Sequence, residues 1–413
     1  MPNAALIETA RKYLDHCLGI GPNEPLLIGA TAEERDVAEV FMKARQEHPL
    51  IQPPSDITHQ VSHNEAGSPV VVAVGFNRGS SGLRMDDGNL ERWERLIDHY
   101  GARHAVAFID SQPGELPWRI GLVGLNQKHG LVYGHGPGTT MDHLRGHFMI
   151  DYEAVAKTGD ALMQRLQDPR VVAYHVHSQD GTNYIVLRTP TTAWHNDLMP
   201  RPYQHPETGV LMGDVGNIPG GEVYEEFSKR RHIPELGTEI PVMQRRAAYG
   251  TWVGNLTVGG INERLDGRKV VLTIGQPRLL TGPREELEGI VTHWEARDLA
   301  FERGIQEQLD GDPYISEGLQ VQESLAFGIN PKADPNAADI LEGEKAVALH
   351  MGFGGVLSHI DLLRSLEGTN VILITGNSID DKMSFVNNVL RGVMPRGFRQ
   401  QYLVRDGQYV LNQ

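Results

Sequence analysis

Cysteine is almost absent from this chain: Cys17 is the single one in 413 residues. An internal disulfide and a cysteine-built metal knuckle are thereby excluded, which fits a reducing compartment such as the cytoplasm. Long hydrophobic runs are also missing. None reaches the roughly 18 apolar residues that a membrane-spanning helix needs, so no membrane partner is expected. Basic charge is outnumbered, with 38 Lys and Arg against 53 Asp and Glu and a formal net charge of −15. Nonspecific nucleic-acid binding needs Lys and Arg to displace counterions from phosphates, so it is not expected here. The start of the chain, MPNAALIETARKYLDHCLGIG, carries Glu8 and Asp15 where a signal peptide would have a basic start and an apolar block, and secretion is not expected. Repeats and low-complexity segments are lacking. A length of 413 residues exceeds what one hydrophobic core commonly serves and implies two domains.

The first part alternates apolar runs with helical periodicity. A helix over Ala5 to Leu18 leads through a turn sequence into the buried-strand candidate PLLIGAT. Thr31 is a candidate cap for a helix from Ala32 to Gln46, with Glu33 and Glu34 in its first turn. A strand at Val70 to Phe76, an amphipathic helix at Leu90 to Tyr100 and a strand HAVAFI follow. This order is that of a parallel sheet. We expect an α/β fold: an N-terminal open α/β domain over residues 1–150 and a β-rich α+β C-terminal domain over 151–413, entered through the helix DYEAVAKTGDALMQRL. GHGPGTT at Gly134 to Thr140 lacks the Lys-Ser/Thr ending of a P-loop and the spacing of a dinucleotide fingerprint, and reads as an ordinary loop. Asp87-Gly88 reads as a turn before a helix.

Beyond Asp168 the sequence is rich in strands and tight turns. VVAYHVHS and TNYIVLRT flank Gln179-Asp180-Gly181, a hairpin turn. His175 and His177 share one strand face, read as exposed in the absence of a third ligand. Further hairpins are expected around Asp266-Gly267 and Asp406-Gly407, and a long helix from Arg284 to Leu309.

Chemistry concentrates between Glu323 and Asp361. Glu323, His350, His359 and Asp361 sit in apolar, strand-like sequence, where an uncompensated charge is costly to bury. His359-x-Asp361 has strand spacing, so period two puts both on one face. Gly328, Gly352, Gly354 and Gly355 frame these groups. Two readings fit. The histidines can be satisfied core residues and the acids members of ion pairs or caps, or the set supplies the oxygen and nitrogen ligands that Zn, Mn, Co or Fe(II) accept. A second glycine-framed carboxylate, Glu222, follows the turn Asn217-Ile218-Pro219-Gly220-Gly221. We expect it to converge on the same pocket as Glu323.

In the order NIPGGEVY, a Glu before GINP, HMGFG and HID, the chain resembles the M29 metallopeptidases, the aminopeptidase T family; MIDYEA and GTN add to the likeness. The resemblance implies a two-domain, homodimeric metal-dependent hydrolase acting on a small-molecule or short-peptide substrate. It implies two divalent ions (Zn, Mn or Co) held by Glu222, Glu323, His350, His359 and Asp361, with Glu222 a ligand or the general base. That family places a catalytic tyrosine shortly after the first ligand histidine. Here no tyrosine lies between His350 and His359; the matching position is near Leu357, and Tyr224 and Tyr314 are the remaining phenols to consider. Relatives on the same fold resemble non-haem Fe(II) dioxygenases that cleave dihydroxypyridine rings and keep a His-x-Asp pair. A single Fe(II) held by two histidines and one carboxylate is therefore the alternative, with another metal-dependent reaction on the same fold as the third reading.

Overall fold

The computed structural model describes residues 4–45, 59–63, 69–76, 83–84, 88–109, 116–188, 194–204, 211–226, 228–233, 238–243, 248–275, 291–296, 298–310, 320–337, 340–354, 359–376, 385, 388–389 and 391–411. The fold is mixed α/β, as expected, and divides into two units. One comprises Met1–Ala156, Asn196–Gly221 and His232–Glu239; the other comprises Lys157–His195, Glu222–Arg231 and Ile240–Gln413.

The first unit is built on a six-stranded sheet centred on Leu26–Ala30. That strand pairs in parallel with Pro69–Gly75 on one side (Leu26 opposite Val71) and with His104–Ile109 on the other (Leu26 opposite His104). Val132–Pro137 lies beyond, and Asp214–Asn217 returns from later in the chain to pair parallel with it. His59–His63 is an antiparallel edge. Such strands are covered on both faces, which explains the continuous apolar runs. His104–Ile109 is buried at every position. The helix Arg35–Arg45 buries Val37, Ala38, Val40, Phe41 and Ala44, a stripe at helical spacing. Its Phe41 ring lies 4.8 Å from Phe108 and 5.6 Å from Phe148. Opposite them in sequence, Trp93 on Asn89–Tyr100 is fully buried, and its indole N–H donates to Asn126 Oδ1 at 3.0 Å. A buried indole needs such an acceptor.

Local expectations shift at three places in this unit. The helix expected from Ala32 starts at Arg35, because the Thr31 hydroxyl turns to the Glu34 carboxylate and the Glu34 carbonyl accepts the helix's Ala38 N–H at 3.0 Å. The first helix runs Ala4–Lys12 and then widens to a π turn at Tyr13–Cys17, with Leu18 N–H donating to Tyr13 O. Gly134 to Thr140 is a strand end followed by the cap of Met141–Arg145, where His143 N–H donates to Thr140 Oγ1 at 3.2 Å. Asp87 lies outside the described residues; Gly88, at φ +76°, precedes the helix. Asp151 caps Tyr152–Leu166, accepting from Ala154 N–H.

The second unit carries two large sheets. Seven strands run in the order Glu263–Arg264, Thr257–Val258, His359–Ser365, Ala348–Gly354, Gln320–Gly328, Glu222–Glu226 and Trp194–Asn196. Eight run Val291–Ala296, Val270–Ile274, Ala248–Gly254, Tyr184–Arg188, Val171–Ser178, Thr369–Thr375, Arg399–Arg405 and Gln408–Tyr409. Buried polar side chains tie one sheet to the other: Trp252 donates to Leu362 O at 3.2 Å, and Arg364 donates to Val253 O at 3.0 Å.

The hairpin across Asp180-Gly181 forms, with His175 opposite Val186, and so does the one across Asp406-Gly407, with Arg405 opposite Gln408. The hairpin expected at Asp266-Gly267 does not. Glu263–Arg264 joins the seven-stranded sheet and Val270–Ile274 the eight-stranded one, so this turn is a crossover. Leu265, fully buried, anchors the crossover on one side of the turn, whereas the two strand residues before it are exposed. The helix expected over Arg284 to Leu309 is also overturned. Val291–Ala296 is a strand paired with Val270–Ile274, as its Val, Thr and Trp favour, and the helix begins only at Leu299, where Asp298 accepts from Ala300 N–H. Residues 284–290 lie outside the described residues. No described helix is long and apolar enough to cross a membrane.

Candidate metal centre

The seven-stranded sheet carries all five sequence-predicted positions on neighbouring strands. Tyr224, Ala326, His350 and Leu363 stand opposite one another across four strands, and Glu226, Glu323, Gly352 and Asp361 form the next such row. Gly352, between the positions of Glu323 and Asp361, supplies no side chain to that row. His359 pairs with Gly354. The side chains of Glu323 and His359 lie outside the described residues, as do Leu357 and Tyr314. Tyr224 stacks on His195, with ring centroids 5.4 Å apart.

Glu222 opens its strand and is buried. The turn before it is pinned by a buried carboxylate: Gly221 N–H donates to Asp197 Oδ1 at 2.9 Å, and Ile218 N–H donates to His135 O at 2.7 Å. The Asn-Ile-Pro-Gly-Gly run is therefore a fixed lead-in to Glu222. Its carboxylate is engaged at both oxygens. His350 Nε2 lies 2.9 Å from Oε1, and the Lys345 ammonium bonds Oε2. The structure thus brings Glu222 and His350 together directly.

Glu344 and Lys345 are the members that sequence reasoning missed. Lys345 is fully buried, Nζ lies 3.4 Å from Glu344 Oε2, and Glu344 keeps only 14% of its side-chain surface. They reach the site because Gly328, opposite Glu222, lacks a Cβ. An added Cβ would stand 1.7 Å from Ala346 O and 2.7 Å from Glu344 O, so the segment 344–346 rests directly on the bare backbone. Asn330 N–H grips Lys345 O at 2.8 Å and fixes the segment from the other side. The signal was present in EGEKAVALH, where a charged pair leads straight into a strand buried at every position.

Electrostatics order the cluster. Burial by itself would raise the Glu222 carboxyl, but the Lys345 ammonium and the His350 imidazole outweigh it and hold Glu222 below the usual carboxylate range. The Glu344 carboxyl goes the other way, pushed well up by burial and by the Asp361 and Glu222 carboxylates against the pull of Lys345. Asp361 is completely buried. Glu222 and Glu344 thus share one lysine, with the Asp361 carboxylate near enough to Glu344 to raise it, and carboxylates with an imidazole are the kind of donors a divalent cation takes. Among the described residues, no three His, Cys, Asp or Glu side chains are already arranged as a metal cage. Glu222 is committed to Lys345 and His350 instead.

His175 and His177 stand apart from this site on the eight-stranded sheet, their rings 5.0 Å apart. His175 is not on an exposed face: it keeps 9% of its surface, because residues around Ile372 and Val186 flank it in the sheet. Burial, then the neighbouring His177, pull its pKa down to about 4.

No protein-family model matches the chain, and no curated protein matches it in sequence. Among solved structures, wild-type AmpT from Thermus thermophilus is similar with a TM-score of 0.54 at 15% identity, over 98% of this chain and 99% of that one. At that identity the likeness is one of fold, and the chain shares the AmpT fold along nearly its whole length.

Proposed function

We propose that the chain is a metal-dependent hydrolase that cleaves an amide or peptide bond in a small substrate. The observation that carries this reading is the buried Glu222–His350 contact, with Asp361 and Glu344 beside it. It occurs on the AmpT fold, at positions where the sequence resembles the aminopeptidase T ligand set. Glu222, His350 and Asp361, together with Glu323 and His359, would hold one or two divalent ions. A bound ion of this kind polarises a scissile carbonyl and lowers the pKa of a bound water toward neutrality.

The chain's own residues divide the remaining work. In the metal-free chain His350 and Lys345 hold both oxygens of Glu222, so the carboxylate is in place before an ion arrives. Glu222 is kept ionised by those neighbours, the form in which a carboxylate ligates a metal. Burial of Glu222, Lys345, His350 and Asp361 excludes bulk solvent, which strengthens the interactions among them.

The test is metal analysis of protein purified without added metal, joined to hydrolysis of amino-acid amides and short peptides with Zn, Mn or Co supplied. Metal-dependent release of free amino acid supports the reading. A single bound iron with oxygen uptake and no hydrolysis overturns it in favour of an Fe(II) oxygenase.

A further inference from the structure

Lys345 places its ammonium on Glu222, a carboxylate that the metal-site reading assigns to an ion. Its side chain is fully buried, its ammonium bonds Glu222 Oε2, and Glu344 Oε2 lies 3.4 Å from the same nitrogen. This placement is built in rather than incidental. Asn330 N–H holds the Lys345 carbonyl, Ala346 N–H bonds back to Glu342 O and Gly343 O at 3.2 Å, and the bare backbone at Gly328 lets the segment descend onto the sheet. The four-carbon stem is flexible and ends in a compact point charge, so the ammonium can transfer between two nearby carboxylates without any movement of the backbone.

A divalent ion on Glu222 needs the oxygen lone pairs that Lys345 uses, and like charges a few ångströms apart repel strongly in a buried site. We propose that Lys345 is an internal competitor for the metal: it satisfies Glu222 in the metal-free chain, gives way to the ion by moving onto Glu344, and so sets the affinity of the centre. This makes Lys345 a positioning and affinity-setting residue, and the inference rests on the metal-site reading above. Three consequences follow for the full-length protein. Lys345→Met should bind zinc about tenfold or more tightly than the parent, because repulsion and competition are both removed. Lys345→Arg, which keeps the charge, should stay close to the parent. Zinc should also alter the environment of the Lys345 ammonium itself.

Calorimetric titration of zinc into metal-stripped parent, Lys345→Met and Lys345→Arg proteins reads the first two, with circular dichroism to establish folding. Lysine-ammonium NMR of the parent, with the Lys345 signal identified by its loss in Lys345→Arg, reads the third and does not depend on Lys345→Met being folded. Tighter zinc binding by folded Lys345→Met, or a Lys345 signal that moves on zinc addition, supports the proposal. Unchanged or weaker binding by folded Lys345→Met, or a signal unmoved at saturating zinc, overturns it. Asp361→Ala separates the two levels. If zinc binding by the parent is absent or indifferent to Asp361, the metal-site reading itself fails. If it needs Asp361 but ignores Lys345, this inference alone fails.

Discussion

Lys345 and Glu222 form an ion pair shut off from water, with side-chain exposures of 0% and 4%. Removing one partner of such a pair leaves an uncompensated buried charge, which commonly costs about 3–5 kcal/mol, whereas removing both can be nearly neutral. Metal-free Lys345→Met should therefore lose about that much in urea denaturation, and Lys345→Met combined with Glu222→Gln should regain most of it. Additive losses in the double variant would contradict a direct pair.

Gly328 carries the segment that delivers Lys345. Gly328→Ala would drive a methyl to within 1.7 Å of Ala346 O, and the two backbones cannot yield without disturbing the Gly328–Glu222 strand pairing or the Asn330–Ala346 bridge. We expect a loss of about 2–3 kcal/mol, at the upper end for a single added methyl group, accompanied by altered zinc affinity as Lys345 is displaced. A variant with parental stability and affinity would show that the close approach is unimportant.

Asp361→Ala should lower metal content and abolish the stabilisation that chelator removes, since bound metal stabilises the folded state by mass action. Asp142, whose side chain is 90% exposed, provides the contrast: Asp142→Ala should change stability by no more than about half a kcal/mol. Melting temperatures with and without chelator measure both. Full metal content in Asp361→Ala would remove this residue from the site.

Acid should destabilise the fold through buried imidazoles. His175 titrates near 6.5 when exposed but is pulled down to about 4 by burial and His177, and His135 is pulled to about 3 by burial and Arg119. Between those values and 6.5 the unfolded chain binds more protons than the folded one, so stability falls as pH drops through that window and is complete above it. For His175 the loss by pH 4 is about 3 kcal/mol. Denaturation curves of the parent and His175→Phe between pH 7 and 4.5 test this, the variant having the shallower dependence. Equal slopes would assign the acid sensitivity elsewhere.

Periodicity and residue type determined much of this protein by themselves. The runs LLIGA and HAVAFI became central strands because only a sheet covered on both faces tolerates unbroken apolar sequence. Gly-containing turns at Gly181 and Gly407 made hairpins because positive φ is inexpensive there. The position of Glu222 after Asn-Ile-Pro-Gly-Gly and the His350, His359 and Asp361 positions were equally legible, since polar residues in apolar strands stand out. Tertiary structure decided the rest. Val291–Ala296 has residues that suit a strand, but it became one because Val270–Ile274 offered it an edge to pair with. His175 is buried although its own strand offers only His177 beside it; the strands through Ile372 and Val186 flank it in the sheet. The partnership of Lys345 with Glu222 exists only because a glycine, distant in sequence from both, leaves the backbone bare where the two segments meet. A charge in a sequence shows what needs a partner; only the packed chain determines which partner it finds.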